Sequence, residues 1–387
     1  MNGYFYVLTA IDLFVLSFMC ILTKLSESLN KKQKQGFFFA FALIAVISVL
    51  EVVTLAVDGT PAGYRWLNIL SNYLGFGLSP GVCLCLVYVM DRKKRMNRWF
   101  RAAVCCEACY LLFLALSIPA GLVFSVSADN IYSRGQYFYI YIIMYFAAIV
   151  YLSVSTFVTA REFQNRSRAL IYPLMFFLLI ETIIQVTLPE LHVTWLCVTL
   201  LSVLYFIYCS EMWNQLDALT GLLNQNSYLN RTAEMRRRGG VLVVFDVDDF
   251  KQINDRYGHL QGDICLAEIG RCIKKVYARS AGDMLIHRVA AHIRRVFEGK
   301  AYRTGGDEFC VLMENADREA QCAQEFVRQL EQRRKAVDFL PTVSFGSAPF
   351  LGEDVLAVKN RADQEMYRYK KARKPDAAHC SPNHTLL

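Results

Sequence analysis

The chain has 387 residues, 55% of them apolar and 20% charged, with a formal net charge of +8 and thirteen cysteines. Its length suits two or three domains of about 150 residues, and its charge is unevenly spread, because most Asp, Glu, Lys and Arg residues follow Cys209. An apolar first half excludes a wholly soluble protein, and the distribution of the basic residues gives no reason to expect a nucleic-acid partner.

A membrane-crossing helix needs about 20 mostly apolar residues. Seven such segments precede residue 212, at 4–23, 37–57, 66–90, 102–126, 137–160, 169–188 and 193–211. The first lacks a basic flank before it and a small-residue cleavage site after it, so it is expected to be a retained helix and not a signal peptide. Alternate loops differ sharply in Lys and Arg. Lys24, Lys31, Lys32, Lys34, Arg92, Lys93, Lys94, Arg95, Arg98, Arg101, Arg161, Arg166 and Arg168 fall in one set, against Arg65 and Arg134 in the other. Thirteen against two predicts an outside N-terminus and a cytoplasmic C-terminal half, with the lipid bilayer as partner.

Asp12, Glu51, Glu107 and Glu181 fall inside these segments, where a charge costs about 2.5–3.5 kcal/mol at mid-helix. A polar ligand or proton site fits them, and so do carboxyls satisfied by Tyr and Ser neighbours. The abundance of Tyr and Phe from Tyr137 to Tyr151 reads as packing and interface anchoring. Disulfides are not expected among cysteines held in membrane segments or a reducing cytoplasm. Cys105-Cys106-Glu107-Ala108-Cys109 lacks zinc-site spacing and a nearby His. The cysteines therefore read as small apolar packing residues. The last segment runs through Tyr205 to Leu216 without Pro or Gly, which predicts one continuous helix able to pass a shift into the following domain.

A soluble α/β rhythm begins near residue 217. Gly239-Gly240 opens Val241-Leu242-Val243-Val244-Phe245, the β-branched run of a buried strand, and the run ends in Asp246-Val247-Asp248. Period two puts Asp246 and Asp248 on one face. Further on, Arg303-Thr304-Gly305-Gly306-Asp307-Glu308-Phe309 reads as strand, Gly-Gly turn, strand. Adjacent like charges on a turn stay ionised together only beside a cation. Carboxylates at a strand end and a neighbouring turn suit Mg²⁺, which takes one or two carboxylates together with phosphate oxygens. A solvated hairpin tip carrying solubility charges fits the same residues.

The run from Asp246 to Asp263, taken with Gly305-Gly306-Asp307-Glu308-Phe309, resembles the GGDEF family of diguanylate cyclases. Asp217-Ala218-Leu219-Thr220-Gly221-Leu222-Leu223-Asn224, Thr342-Val343-Ser344-Phe345-Gly346, and Ala362-Asp363 to Lys370 extend the likeness over about residues 214–375. The apolar segments and the resemblance together give a multi-domain chain of a bacterial inner membrane: a polytopic all-α membrane bundle of about seven helices over 1–211, which resembles no known family, an α/β palm-like domain over 212–375, which the resemblance implies, and a short polar tail over 376–387, expected to be disordered. The resemblance implies condensation of two GTP into cyclic di-GMP by a homodimer. Asp246, the Val247 carbonyl, Asp307 and Glu308 would hold Mg²⁺ or Mn²⁺, with Asp307 or a metal-bound water accepting the proton of the attacking hydroxyl. Lys251 would neutralise phosphate charge, Asn254 and Asp263 would read guanine with His259 nearby, and Lys370 would bind phosphate.

Several positions depart from the pattern. Val296 and Gly299 stand where the family carries a product-inhibition Arg-x-x-Asp, so that feedback is expected to be absent, and Arg294 and Arg295 read as helix surface. Asp263 lies 42 positions before Gly305, longer than the family usually allows. The extra length looks like a partial repeat, Gly262-Asp263-Ile264 and Gly282-Asp283-Met284, which leaves Asp283 as a second guanine-reading candidate. Gln225 stands at a usual Arg, and Arg373-Lys374-Pro375 replaces Gly-Arg-Asn. A degenerate GTP-binding receptor and a transporter with an accessory cyclase are the alternatives to a membrane-regulated enzyme.

Overall fold

A computed structural model describes residues 2–90, 98–160, 176, 180, 183, 194–235, 239–277 and 299–373. The chain divides into two compact units, Met1–Trp213 and Asn214–Leu387.

The first unit holds α1 (Asn2–Leu25), α2 (Lys31–Val57), α3 (Arg65–Met90), α4 (Arg98–Ser117), a short hairpin of β1 (Phe124–Val126) and β2 (Tyr132–Arg134), α5 (Tyr139–Ala160) and α6 (Thr194–Trp213). Among the described residues these six helices are long and apolar enough to cross a membrane, and such a set of helices marks the unit as membrane-associated. The expected segment at 169–188, with Glu181, lies outside the described residues apart from single helical positions at Phe176, Ile180 and Ile183. α3 is central, packing on α2, α4 and α5. Glycine lets it approach closely: a side chain on Gly36 would strike Val89, and one on Gly77 would strike Leu111.

Two expectations fail at helix ends. The segment expected to span 102–126 stops at Ser117, and its last residues form β1. Pro119 lacks the amide hydrogen that a helix needs, and Gly121 takes a positive φ of 61°. Asn130, at φ 59°, turns the hairpin. Its amide donates to the carbonyl of Val57 (2.6 Å) while Asn68 donates to its side-chain oxygen (3.1 Å) and to Asp58 (3.0 Å). The hairpin is thereby tied to the α2–α3 connection. The helix expected to continue to Leu216 ends at Trp213. Beyond it the carbonyls of Asn214 and Gln215 accept from the Asn224 side chain and backbone (2.7 and 2.9 Å), so the chain turns into a loop in place of a further helical turn. The cysteine reading also divides. Cys83, Cys209, Cys265, Cys272, Cys310 and Cys322 are buried, whereas Cys105, Cys106 and Cys109 are exposed on α4.

The second unit contains α7 (Gln225–Met235), β3 (Gly240–Val247), α8 (Phe250–Tyr257), α9 (His259–Tyr277), β4 (Lys300–Arg303), β5 (Glu308–Met313), α10 (Glu319–Arg334), β6 (Val343–Phe350) and α11 (Val355–Arg373). The sheet is antiparallel throughout, in the order β4-β5-β3-β6. Central β3 is buried on both faces, which is why its sequence is continuously apolar and does not alternate. Val241, Val243, Phe245 and Val247 face a core built with Cys265, Ile269 and Ile273 of α9 and with Phe326 and Leu330 of α10. The alternate residues of β3 face α11, whose closeness depends on Gly346. A Cβ there would collide with the backbone of Ala362 and Met366.

Candidate functional site

Register brings the acidic residues together. Asp246, near the end of β3, pairs with Glu308, the first residue of β5, and Asp307 immediately precedes it in the turn. Antiparallel partners share a face, so Asp246 and Glu308 project on the α11 side. That helix supplies the countercharge. Lys370 Nζ lies 2.5 Å from Asp246 Oδ2 and 3.4 Å from Asp248 Oδ1, and Lys359 Nζ lies 3.4 Å from Glu308 Oε2.

The electrostatics record the crowding. Burial pushes the Asp307 carboxyl above its ordinary value, the neighbouring Asp246 and Glu308 push it further, and Lys370 offsets part of the rise. Asp363 on α11 is raised in the same way, by burial first and then by Glu308 and Asp246, against Lys359. Burial would lower both lysines, yet Asp246 and Asp248 hold Lys370 above its ordinary value, and Glu308 does the same for Lys359.

Asp248 shares this face with Asp246 but is almost fully buried. Its two oxygens accept from Thr342 and Ser344, each at 2.7 Å, and its amide donates to the Thr342 carbonyl. These bonds hold the end of β3 against β6, beneath Asp246. At the next residue the chain turns through Asp249, in the left-handed region at φ 54°, and enters α8.

The remaining predicted residues sit on α8 and α9. Lys251 is exposed on α8, and His259 and Asp263 are exposed on the first turns of α9. Gly262 explains why Asn254 can share their neighbourhood: the Asn254 amide lies against its Cα, where any side chain would collide with it. The Asn254 side chain thus packs on Gly262, the residue that precedes Asp263, at the α8–α9 corner. Asp283, Arg294, Arg295 and Val296 lie outside the described residues, as does Lys374. Gly299 directly precedes β4.

The sequence reading missed the clasp on the Gly-Gly turn. Arg303 donates from Nε and Nη2 to the Gly306 carbonyl (3.3 and 2.8 Å) and from Nη1 to both oxygens of Asp217 (3.2 Å each). Asp217 also accepts from the amide and hydroxyl of Thr220 (2.8 and 2.7 Å). Burial would raise its carboxyl, but the Thr220 bonds and Arg303 hold it below the ordinary value. Both motifs were visible in the sequence, 86 residues apart, but nothing in either named the other.

The donor set fits a hard divalent cation. Asp246, Asp307 and Glu308 bring carboxylate oxygens to one edge of the sheet, where burial first and then the neighbouring Asp246 and Glu308 raise the Asp307 carboxyl. Among the described residues no group of three or more His, Cys, Asp or Glu side chains is placed to hold a metal ion by itself.

A family model described as "Diguanylate cyclase, GGDEF domain" matches residues 214–281 and 276–375, two stretches that meet at the extra length after Asp263. The chain is 36% identical over 109 residues to the probable diguanylate cyclase DgcI of Escherichia coli K12, covering 28% of this chain and 20% of that protein. It is 34% identical over 176 residues to the diguanylate cyclase DgcP of Pseudomonas aeruginosa, covering 40% and 22% respectively. The chain thus spans about a fifth of the length of these relatives. The crystal structure of the GGDEF domain of DgcB from Caulobacter crescentus, in complex with c-di-GMP, aligns over 41% of this chain and 91% of that one, at 26% identity and a TM-score of 0.32. The C-terminal unit, with its motif at Gly305–Phe309 and its matched residues from 214 to 375, is a GGDEF domain.

Proposed function

We propose that this chain is a membrane-bound diguanylate cyclase that condenses two GTP into cyclic di-GMP and two pyrophosphates. The observation that carries the reading is the pairing of Asp246 with Glu308 beside Asp307, opposite the two lysines of α11. The 3′-hydroxyl oxygen of one GTP attacks the α-phosphorus of the other, the bond to the bridging β-phosphate oxygen breaks, and pyrophosphate leaves. The same exchange in the opposite sense closes the ring.

Asp246, the Val247 carbonyl, Asp307 and Glu308 are the residues that would hold Mg²⁺ or Mn²⁺. When bound, the ion neutralises phosphate charge and stabilises the attacking and leaving oxygens. Asp307 is the residue that would receive the proton of the attacking hydroxyl. Lys251, on the exposed face of α8, meets charge developing on the phosphates, and Lys370 exchanges Asp246 for a phosphate as substrate enters. Asp263 accepts from guanine N1–H and N2–H with Asn254 beside it and His259 nearby. A mismatched base would leave buried groups unpaired, at about 1–3 kcal/mol each. The near neighbourhood of Asn254 and Asp263 at the α8–α9 corner supports Asp263 for this role.

One domain holds one GTP, so the symmetric product calls for two domains facing each other in a homodimer. The Lys and Arg bias supports an outside N-terminus and a cytoplasmic GGDEF domain, and the helical unit is the regulatory part. The test is incubation of the full chain in lipid nanodiscs with GTP and Mg²⁺, followed by chromatography of the nucleotides. The expected result is cyclic di-GMP from the unmodified chain and none from Asp307→Ala. Bound GTP without product, under every condition that keeps the protein dimeric, would reject catalysis in favour of a receptor.

A further inference from the structure

Lys370 has two carboxylate partners, and they differ in kind. The Asp246 side chain is 22% exposed and stands beside Glu308 among the groups that would hold the cation. The Asp248 side chain is 8% exposed and is turned towards β6. Thr342 donates to its Oδ2 and Ser344 to its Oδ1, each at 2.7 Å, while Lys370 Nζ stands 3.4 Å from the same Oδ1. Among the described residues these two carboxylates are the ion-pair partners of Lys370.

The difference matters when the site is loaded. An Asp246 carboxylate turned towards a divalent cation no longer holds the ammonium, and a lysine left alone has its flexible four-carbon stem to order again before it can meet a phosphate. Asp248 is not drawn into that exchange. Two hydroxyls fix its oxygens, and its amide donates to the Thr342 carbonyl at 3.0 Å. A fixed outer carboxylate is a common means of orienting the group that touches the ligand. Gly346 seats α11 directly on β6, the strand that carries Ser344, so Lys370 and the hydroxyl that fixes Asp248 belong to elements whose backbones touch.

We propose that Asp248 is a positioning residue for Lys370: it keeps the ammonium in place for a phosphate while Asp246 turns to the cation, and so sets affinity for the triphosphate and not for the base. The proposal rests on the cyclase reading and adds to it a residue that touches neither nucleotide nor metal.

The probe is the α,β-methylene analogue of GTP, in which carbon replaces the bridging oxygen whose bond breaks in the reaction, so that binding is read without turnover. It is titrated with Mg²⁺ into the full chain in nanodiscs and followed by calorimetry, and guanosine, which has no phosphate, is measured by displacement of the analogue. Asp248→Asn keeps the size and can still accept from a hydroxyl, but has no charge to hold an ammonium. It should weaken the analogue about tenfold or more and leave guanosine unchanged, and so should Lys370→Met. The double variant should bind no more weakly than Lys370→Met alone. A plain charge effect runs the other way, because loss of a negative charge beside the phosphates would tighten binding. Ser344→Ala removes one of the hydroxyls that fix Asp248 and should weaken the analogue about threefold or more; it carries the test if Asp248→Asn does not fold. Unchanged or tighter analogue binding in the folded variant, an equal loss for guanosine, or losses that add in the double variant would overturn the proposal and leave the cyclase reading standing. Lys370→Met binding like the parent would overturn it together with the phosphate role of Lys370, and a parent chain that does not bind the analogue would overturn it together with the GTP reading.

Discussion

Removing the guanidinium of Arg303 should loosen the Gly-Gly turn without disturbing the sheet that carries it. Arg303 makes two bonds to the Gly306 carbonyl and two to the Asp217 carboxylate. The Arg303 and Asp217 side chains are only 16% and 22% exposed, which places the pair between a surface bridge at about 0–1 kcal/mol and a fully buried one at about 3–5 kcal/mol when broken. Arg303→Ala should therefore cost about 2–3 kcal/mol locally. Arg303→Lys keeps the charge but loses the planar fork, and should cost roughly half as much. Hydrogen exchange followed by mass spectrometry on the full chain reads this directly. A loss of about 2–3 kcal/mol in local opening corresponds to roughly 30- to 150-fold faster exchange, confined to 217–223 and 303–308, with β3 unchanged. Asp217→Asn should speed exchange in the same two segments, and the double variant should fall short of the summed effects. Unchanged exchange at Gly305 and Gly306 in Arg303→Ala would refute the clasp.

The raised Asp307 carboxyl gives a signed pH dependence. Its native value lies above the ordinary 3.8, so the folded site holds the proton more tightly than the unfolded chain and loses stability as pH rises through that interval. In metal-free protein Asp307→Asn should melt above the parent chain at pH 7, and the advantage should vanish below about pH 4. Millimolar Mg²⁺ should raise the melting temperature of the parent more than that of the variant, and equal shifts would count against Asp307 as a ligand. Gly262→Ala should displace the Asn254 amide and weaken GTP binding about tenfold or more while the far-ultraviolet circular dichroism is unchanged. Unaltered nucleotide affinity would separate Asn254 from the guanine site. Gly346→Ala forces α11 away from β6 and should destabilise the domain by about 1–3 kcal/mol, measured as a lower melting temperature. A melting temperature equal to the parent's would mean that α11 can move away at no cost.

Features set by local chemistry were legible from sequence. The run from Val241 to Phe245 is strand-like because both of its faces are buried, and Gly305-Gly306 can only turn, so the two acidic clusters could be placed at adjacent strand ends. Period two also put Asp248 beside Asp246, but not its burial, which depends on hydroxyls from Thr342 and Ser344 far along the chain. The partnership of Arg303 with Asp217 was hidden for the same reason. The end of α4 could have been found at Pro119. The stop at Trp213 could not, because it depends on Asn224, whose side chain and backbone amide bond the carbonyls of Asn214 and Gln215 and hold that stretch in a loop.

α11 also acts as a ruler. Lys359 and Lys370 stand eleven residues apart, which at 3.6 residues per turn leaves them only about 20° out of line after three turns. One helix edge therefore presents two lysines about 16 Å apart along its axis, and their long side chains lean towards each other to reach Glu308 and Asp246, which are paired across the strands. Gly346 fixes the zero of that ruler, since the backbone contact it permits locks the helix at one position along β6. A slip of a single residue would swing both lysines by about 100° and strip both carboxylates of their countercharge together. The charge balance of the nucleotide site is thus calibrated by a contact between two backbones, with no charged atom in it.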